Sequence, residues 1–236
     1  MVNRHTAKKI RKTHRYLGLF LGIQFLFWTI SGMYFSWTNI DEIHGDQFRN
    51  MDYVPTAFTE LMSPSQIDSS EEIRSIEIRD LNSEPYYWVN NHQLFNARTG
   101  EAKKSISEKE ALYVAENYMK EGLKVTDIKK ITEVDDYHEY REKLLPAYVI
   151  SYDVDEALKA YVSIADGKFQ TVRHRAWRWF DFLWMTHTMD YDTRDNFNTI
   201  VLRAFSLLGL ITVLSGFLLW YTSSPTMRKL IKKIKN

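Results

Sequence analysis

The sequence predicts an α+β fold: an exported domain, with a helix on an antiparallel sheet, between two transmembrane α-helices. Three observations predict it. Two uncharged or nearly uncharged apolar segments lie near the ends of the chain, at 17–37 and 199–221. Between them, short runs of alternating apolar residues are separated by hairpin-type turns, which is typical of antiparallel strands. One capped amphipathic helix interrupts those runs.

The first apolar segment, Leu17–Trp37, holds 21 residues without a charge, and Gln24 is its only strongly polar side chain. A helix of that length spans roughly 30 Å, the thickness of the hydrocarbon core of a bilayer. Its apolar stretch is longer than that of a signal peptide and no small-residue cleavage site follows. We therefore expect an uncleaved transmembrane helix. Gly18 and Gly22 lie one turn apart and predict a close helix–helix contact.

Charge patterning predicts the orientation of the chain. Residues 1–16 carry six Lys and Arg and residues 222–236 carry five, and neither stretch contains an acidic residue. All 30 Asp and Glu therefore lie between the two apolar segments. By the positive-inside rule, both termini are expected in the cytoplasm and the central part is expected to be exported; the family resemblance described below implies a bacterial inner membrane and a periplasmic centre.

Residues 38–104 are expected to form an irregular connector followed by a partial β region. The connector, up to about residue 70, is interrupted by prolines and allows a short helix at most. Apolar residues alternate from Ile73, and the pair Asn90-Asn91 between two β-rich runs is a hairpin signal.

Residues 105–173 contain the clearest secondary structure signals of the central part. Ser107 and Glu110 form a capping box, so a helix should begin at Ser107 and stop near Gly122. Asp166-Gly167 predicts a tight hairpin. Four strands are expected after the helix, at about 126–134, 145–154, 158–164 and 168–173.

Residues 174–198 mix arginines with tryptophans and phenylalanines. This stretch is too polar to span a bilayer, and its aromatic rings are typical of headgroup depth, so it predicts a helix on the outer membrane surface. His187 falls on its apolar side. The second transmembrane helix, 199–221, then carries Arg203 near its start.

The absence of cysteine excludes disulfides, thiolate metal sites and covalently attached c-type haem. No HExxH motif, Gly-rich phosphate loop or dinucleotide fingerprint is present, so a hydrolase is not expected. The basic ends fit anionic lipid, and nucleic acid is not an expected partner.

Several motifs, taken in order, resemble those of the PepSY-associated transmembrane proteins. They are His14-Arg15-Tyr16-Leu17-Gly18-Leu19, Ser31-Gly32, the exported unit from Ser107 to Thr171, the Trp/His segment from His174 to Met189, Arg203, Leu208-Gly209-Leu210, Ser215-Gly216 and Trp220. The resemblance implies that the 105–173 region is a PepSY-like α+β domain. Some members of this family are haem proteins of the inner membrane that reduce ferric siderophores, with histidines of membrane helices as haem ligands. Other PepSY domains regulate peptidases.

The resemblance assigns His14 and His187 as ligands of haem b. The predicted topology separates them by one helix length, so they are not expected to share one iron. Two arrangements remain: each histidine pairs with its symmetry mate in a homodimer, which would restore the four helices common in the family, or His187 pairs with His44. Arg203 is then available for a haem propionate.

Both histidines also have simpler interpretations that do not involve haem. His14 is equally well explained as a cation facing anionic headgroups, and His187 as an interfacial ring. The remaining histidines are expected at the surface: His5, His92, His138 and His174. The sequence thus supports two functions, a haem-linked oxidoreductase in iron uptake or a haem-free anchored module that regulates an envelope protein.

Overall fold

A computed structural model of the chain describes residues 4–225 and divides into two compact units. The helical unit comprises residues up to Trp37 together with those from Asp181 onward, and the sheet unit comprises Thr38–Phe180. The part of the predicted basic tail that follows Pro225 lies outside the described residues.

Two long helices form most of the helical unit. Helix α1 covers Arg4–Trp37 and helix α5 covers Ile200–Ser223, and both contain a stretch long and apolar enough to cross a membrane. Thr199 caps α5 by accepting a hydrogen bond from the backbone N–H of Leu202. Helix α1 begins 13 residues before the predicted apolar segment, because the basic run that precedes it consists largely of good helix formers and contains no stop signal.

Helices α1 and α5 pack antiparallel. The glycines at this contact lie on α5: a Cβ atom at Gly209 would lie 3.1 Å from the ring of Phe25. Phe20 stacks on Phe205, with ring centroids 5.6 Å apart. A Cβ atom at Gly18 or Gly22 would meet nothing within 4 Å among the described residues. The predicted close contact through Gly18 and Gly22 is therefore not the one that joins α1 to α5.

The sheet unit begins with the short helix α2, Ile40–His44, and 3₁₀ turns at Asp46–Phe48 and Pro64–Gln66, in agreement with the predicted irregular connector. The first antiparallel sheet follows, in the order β1-β2-β3-β4. Asn90 and Asn91 have φ values of +51° and +62°, as expected for the predicted hairpin turn. The strands are β1 Ile76–Leu81, β2 Glu84–Val89, β3 Gln93–Asn96 and β4 Ala102–Lys103.

Helix α3, Glu108–Tyr118, begins at the predicted capping box: Ser107 accepts from the Glu110 N–H, and Glu110 accepts from the Ser107 N–H. It ends before Gly122, with Met119 as its C-cap. The second antiparallel sheet has the order β5-β6-β7-β8. Its strands match the four predicted segments within two to three residues at each end: β5 Val125–Ile131, β6 Ala147–Tyr152, β7 Lys159–Ser163 and β8 Phe169–Arg173.

One hydrophobic core joins α3 to both sheets. The buried face of α3 presents Ala111, Val114 and Ala115, and the same core contains Trp88 of the first sheet and Ile150 of the second. The sequence predicts one helix on one sheet with a partial β region, whereas the structure has two four-stranded sheets. The α+β class holds, but residues 76–103 form a complete four-stranded sheet.

Helix α4, Arg175–Thr188, is shorter than the predicted 174–198 segment. Met189 adopts a left-handed conformation at φ +53°. The carboxylate of Asp190, which is buried, then accepts hydrogen bonds from the backbone N–H groups of Asp192, Thr193 and Asn196. These bonds stabilise a turn in place of another helical turn.

Candidate functional site

His14 lies on α1 and is half-buried against α5. Its Nδ1 atom is 2.7 Å from the hydroxyl oxygen of Ser215. A Cβ atom at Gly216 would lie 3.2 Å from Cε1 of the same ring. Gly216 therefore allows the imidazole to approach the α5 backbone, and Ser215 supplies its polar contact.

An open apolar groove of about 450 Å³ adjoins this histidine. It is lined by Val213, Gly216, Phe217 and Trp220 of α5. Gly216 lines the groove and also faces the imidazole of His14.

His187 lies at the C-terminal end of α4 and contacts α1. Its Nδ1 atom is 2.8 Å from the hydroxyl oxygen of Ser31, which is fully buried. The ring centroid of Phe35 lies 5.5 Å away and that of Trp28 lies 6.3 Å away. Burial lowers the pKa of His187, which favours the neutral imidazole, the form that ligates metals.

Two side chains of α1 hold the end of α4 in place. Gln24 donates from Nε2 to the carbonyl of Thr186 at 3.0 Å, and Trp28 donates from Nε1 to the carbonyl of His187 at 2.7 Å. The last carbonyls of a helix have no partner within the helix, so these bonds satisfy them. Gln24, the one strongly polar residue of the first apolar segment, thus helps to position His187.

Each of the two sites consists of a histidine on one helix in contact with a serine on another helix. His14 of α1 contacts Ser215 of α5, and His187 of α4 contacts Ser31 of α1. His14 and Ser31 are 17 residues apart on α1, or roughly 25 Å along the helix axis. The structure therefore places the two imidazoles at opposite ends of the helix pair, too far apart to bind one iron within a chain.

The other two predicted site residues, His44 and Arg203, lie in different units of the chain. His44 ends α2 in the sheet unit, where its side chain is exposed. Arg203 is exposed on the first turn of α5, with Nη2 3.5 Å from the Asn198 side-chain oxygen. Among the described residues, no group of three or more His, Cys, Asp or Glu is placed to hold a metal ion.

His174 was expected at the surface and is buried, with only 1% of its area exposed. Its Nε2 atom contacts the carbonyl oxygen of Ile43 at 3.1 Å, and its ring packs on Phe48. It follows strand β8 directly, and its burial depends on a long-range contact with the connector that local pattern does not reveal. It connects α2 to the second sheet.

Sequence reasoning also missed the roles of two serines. Ser31 and Ser215 each precede a glycine in a membrane helix, and the sequence alone assigns no contact to either Ser-Gly pair. A Ser-Gly pair on one helix, matched by a histidine on another, is the signal that could have revealed the contact.

Comparison with known proteins gives one match. A family model described as the PepSY-associated TM region matches residues 2–223. No curated protein and no solved structure matches the chain. The match covers both long helices, both histidine sites and the whole sheet unit. The chain therefore belongs to the PepSY-associated transmembrane family.

Proposed function

We propose that this protein carries electrons in the bacterial inner membrane towards ferric, siderophore-type substrates, with b-type haem bound through His14 and His187. The observation that supports this most is the pair of half-buried imidazoles at opposite ends of the α1–α5 pair. Two sites at the two ends of a membrane-crossing helix pair suit transfer of electrons across the bilayer.

The residues present fit b-type haem. Its iron takes imidazole ligands without a covalent bond to the protein, and each site offers one imidazole. The groove of Val213, Phe217 and Trp220 beside His14, and the rings of Trp28 and Phe35 beside His187, offer apolar surface to a macrocycle. When bound, haem supplies one-electron oxidation and reduction. The chain supplies the axial nitrogens and an environment of low polarity.

Each haem iron would need a second imidazole as its other axial ligand, and that imidazole has to come from outside the site. The only other histidine on α1 is His5, nine residues before His14 and roughly 13 Å away along the axis. A homodimer provides the missing ligand, because each histidine would then meet its own symmetry mate. The open face of Gly18 and Gly22 is a suitable seam for such a dimer. Pairing of His187 with His44 is the other arrangement.

Arg203 is proposed to bind a haem propionate. It lies on the first turn of α5 and its guanidinium is exposed. Charges on membrane helices are costly and are usually kept for a function. Exchange of Arg203 for glutamine should therefore weaken haem retention without removing an axial ligand.

An absorption spectrum of the full chain, purified in detergent after expression with ample haem, tests the proposal. A Soret band with one haem per chain is expected. His14→Ala and His187→Ala should each remove about half of the haem, and the double variant all of it. His5→Ala, a histidine on the same helix as His14, serves as the control. Wild-type protein without a Soret band would contradict the proposal.

The exposed apolar side chains of the sheet unit favour a second function, a haem-free anchored module that binds and regulates another envelope protein. Val54 is 80% exposed and Met51 is 61% exposed, both on the connector. If this function holds, haem is absent and Val54→Asp abolishes regulation of the partner, while His14→Ala and His187→Ala leave it intact.

A further inference from the structure

The hydroxyl of Ser215 can donate only one hydrogen bond, and the structure shows where that hydrogen goes. Oγ lies 2.7 Å from the carbonyl oxygen of Thr212, which can only accept. The contact of the same Oγ with Nδ1 of His14, also at 2.7 Å, must then be donated by the ring. Nδ1 of His14 therefore carries a hydrogen.

Ser31 is placed in the same way towards His187. Its Oγ donates to the carbonyl of Phe27 at 2.7 Å, with that of Trp28 at 3.2 Å. The contact of Oγ with Nδ1 of His187 at 2.8 Å is thus donated by the ring. Because Ser31 is fully buried, water does not compete for this bond.

A neutral imidazole carries one N–H, so a hydrogen at Nδ1 leaves a lone pair at Nε2. Among the residues that the structure describes, Nε2 of His14 and Nε2 of His187 have no hydrogen-bond partner. In its neutral form, each ring is thus held in the tautomer that can ligate a metal through Nε2, before any metal is bound.

We propose that Ser31 and Ser215 are positioning residues that fix the Nδ1–H tautomer of His187 and His14 and direct Nε2 towards haem iron. The assignment to haem rests on the proposed function, whereas the tautomers follow from the hydrogen bonds alone. Partners of this kind orient a ligating histidine and raise its basicity. Their loss typically lowers metal affinity by about 10- to 100-fold.

Nitrogen NMR of the haem-free chain tests the tautomers directly. Full-length protein labelled with ¹⁵N-histidine would be prepared in detergent from haem-depleted cells, and the signals assigned with His14→Ala and His187→Ala. Both rings should show the Nδ1–H pattern. Ser215→Ala should change the pattern of His14 alone, and Ser31→Ala that of His187 alone.

Matched controls separate this role from general damage to a helix. The hydroxyl of Ser36 on α1 donates to the Met33 carbonyl, and Ser206 of α5 is exposed, so Ser36→Ala and Ser206→Ala should change neither ring. Ser31→Thr keeps a hydroxyl and should restore the His187 pattern.

Haem titration and potentiometry extend the test. Each serine-to-alanine variant should bind haem about 10- to 100-fold more weakly at its own site. The midpoint potential of that site should rise, because a less basic imidazole stabilises ferric iron less. An Nε2–H pattern in the wild type, or alanine variants with unchanged tautomers, would overturn the inference. If the tautomers depend on the serines but the wild type binds no haem, the proposed function fails while the role of the serines stands.

Discussion

The charge of Glu139 should stabilise the sheet unit, and its removal is the sharpest stability test that the structure offers. The carboxylate accepts hydrogen bonds from Arg178 at 2.6 and 3.0 Å and from the Tyr161 hydroxyl at 2.7 Å, and it lies 3.1 Å from the ammonium of Lys159. Only 11% of its side chain is exposed. Glu139→Gln keeps the shape and removes the charge.

The magnitude follows from the pKa of this carboxyl. Burial alone would raise it, but the hydrogen bonds from Arg178 and Tyr161 and the charges of Arg178 and Lys159 lower the pKa from 4.5 to about 2. A depressed folded-state pKa stabilises the fold above the unfolded-state value, and this stability is lost as the pH falls from about 4.5 towards 2. This difference between the unfolded-state and folded-state pKa values contributes about 3 kcal/mol to the free energy of unfolding at pH 7 and about 1.5 kcal/mol at pH 3.

Urea unfolding of the full chain in detergent, followed by near-ultraviolet circular dichroism, measures the effect. The difference in unfolding free energy between the wild type and Glu139→Gln should shrink by about 1.5 kcal/mol between pH 7 and pH 3. Glu142→Gln, an exposed neighbour in the same loop, is the control and should show almost no change. A difference for Glu139→Gln that stays constant with pH would refute the reasoning.

Two further substitutions test close approaches of glycine. Gly216→Leu should displace the ring of His14 and remove about half of the haem from the purified protein. Ser206→Leu, at an exposed position of the same helix, should leave the Soret band intact, and equal loss in both variants would contradict the role of Gly216. Gly167→Ala should lower the unfolding free energy by about 1–3 kcal/mol, since φ is +69° and the new Cβ would clash with Leu81. An unchanged urea midpoint for Gly167→Ala would contradict this.

Local chemistry explains why much of the fold is predictable from the sequence. The capping box at Ser107, the Asn90-Asn91 turn and the Asp166-Gly167 turn each depend on residues within a few positions of one another, and all three are present. The full size of the first sheet was missed because β4, with two residues, is too short to show a period of its own. Its pairing is set by β3 beside it.

The candidate site was less predictable because its contacts are long-range. The sequence identifies His14 and His187 as residues of interest, but their partners lie 201 and 156 positions away along the chain. Serines and glycines are common in membrane helices, so their types alone do not mark a role. The burial of His174 depends in the same way on a distant carbonyl, that of Ile43.

The absorption spectrum of the purified full-length protein tests the central proposal most directly. A Soret band that is halved by His14→Ala, halved by His187→Ala and lost in the double variant is the predicted result. Haem-free wild-type protein from haem-replete cells, or a band that survives the double substitution at full intensity, would contradict haem ligation at these two histidines.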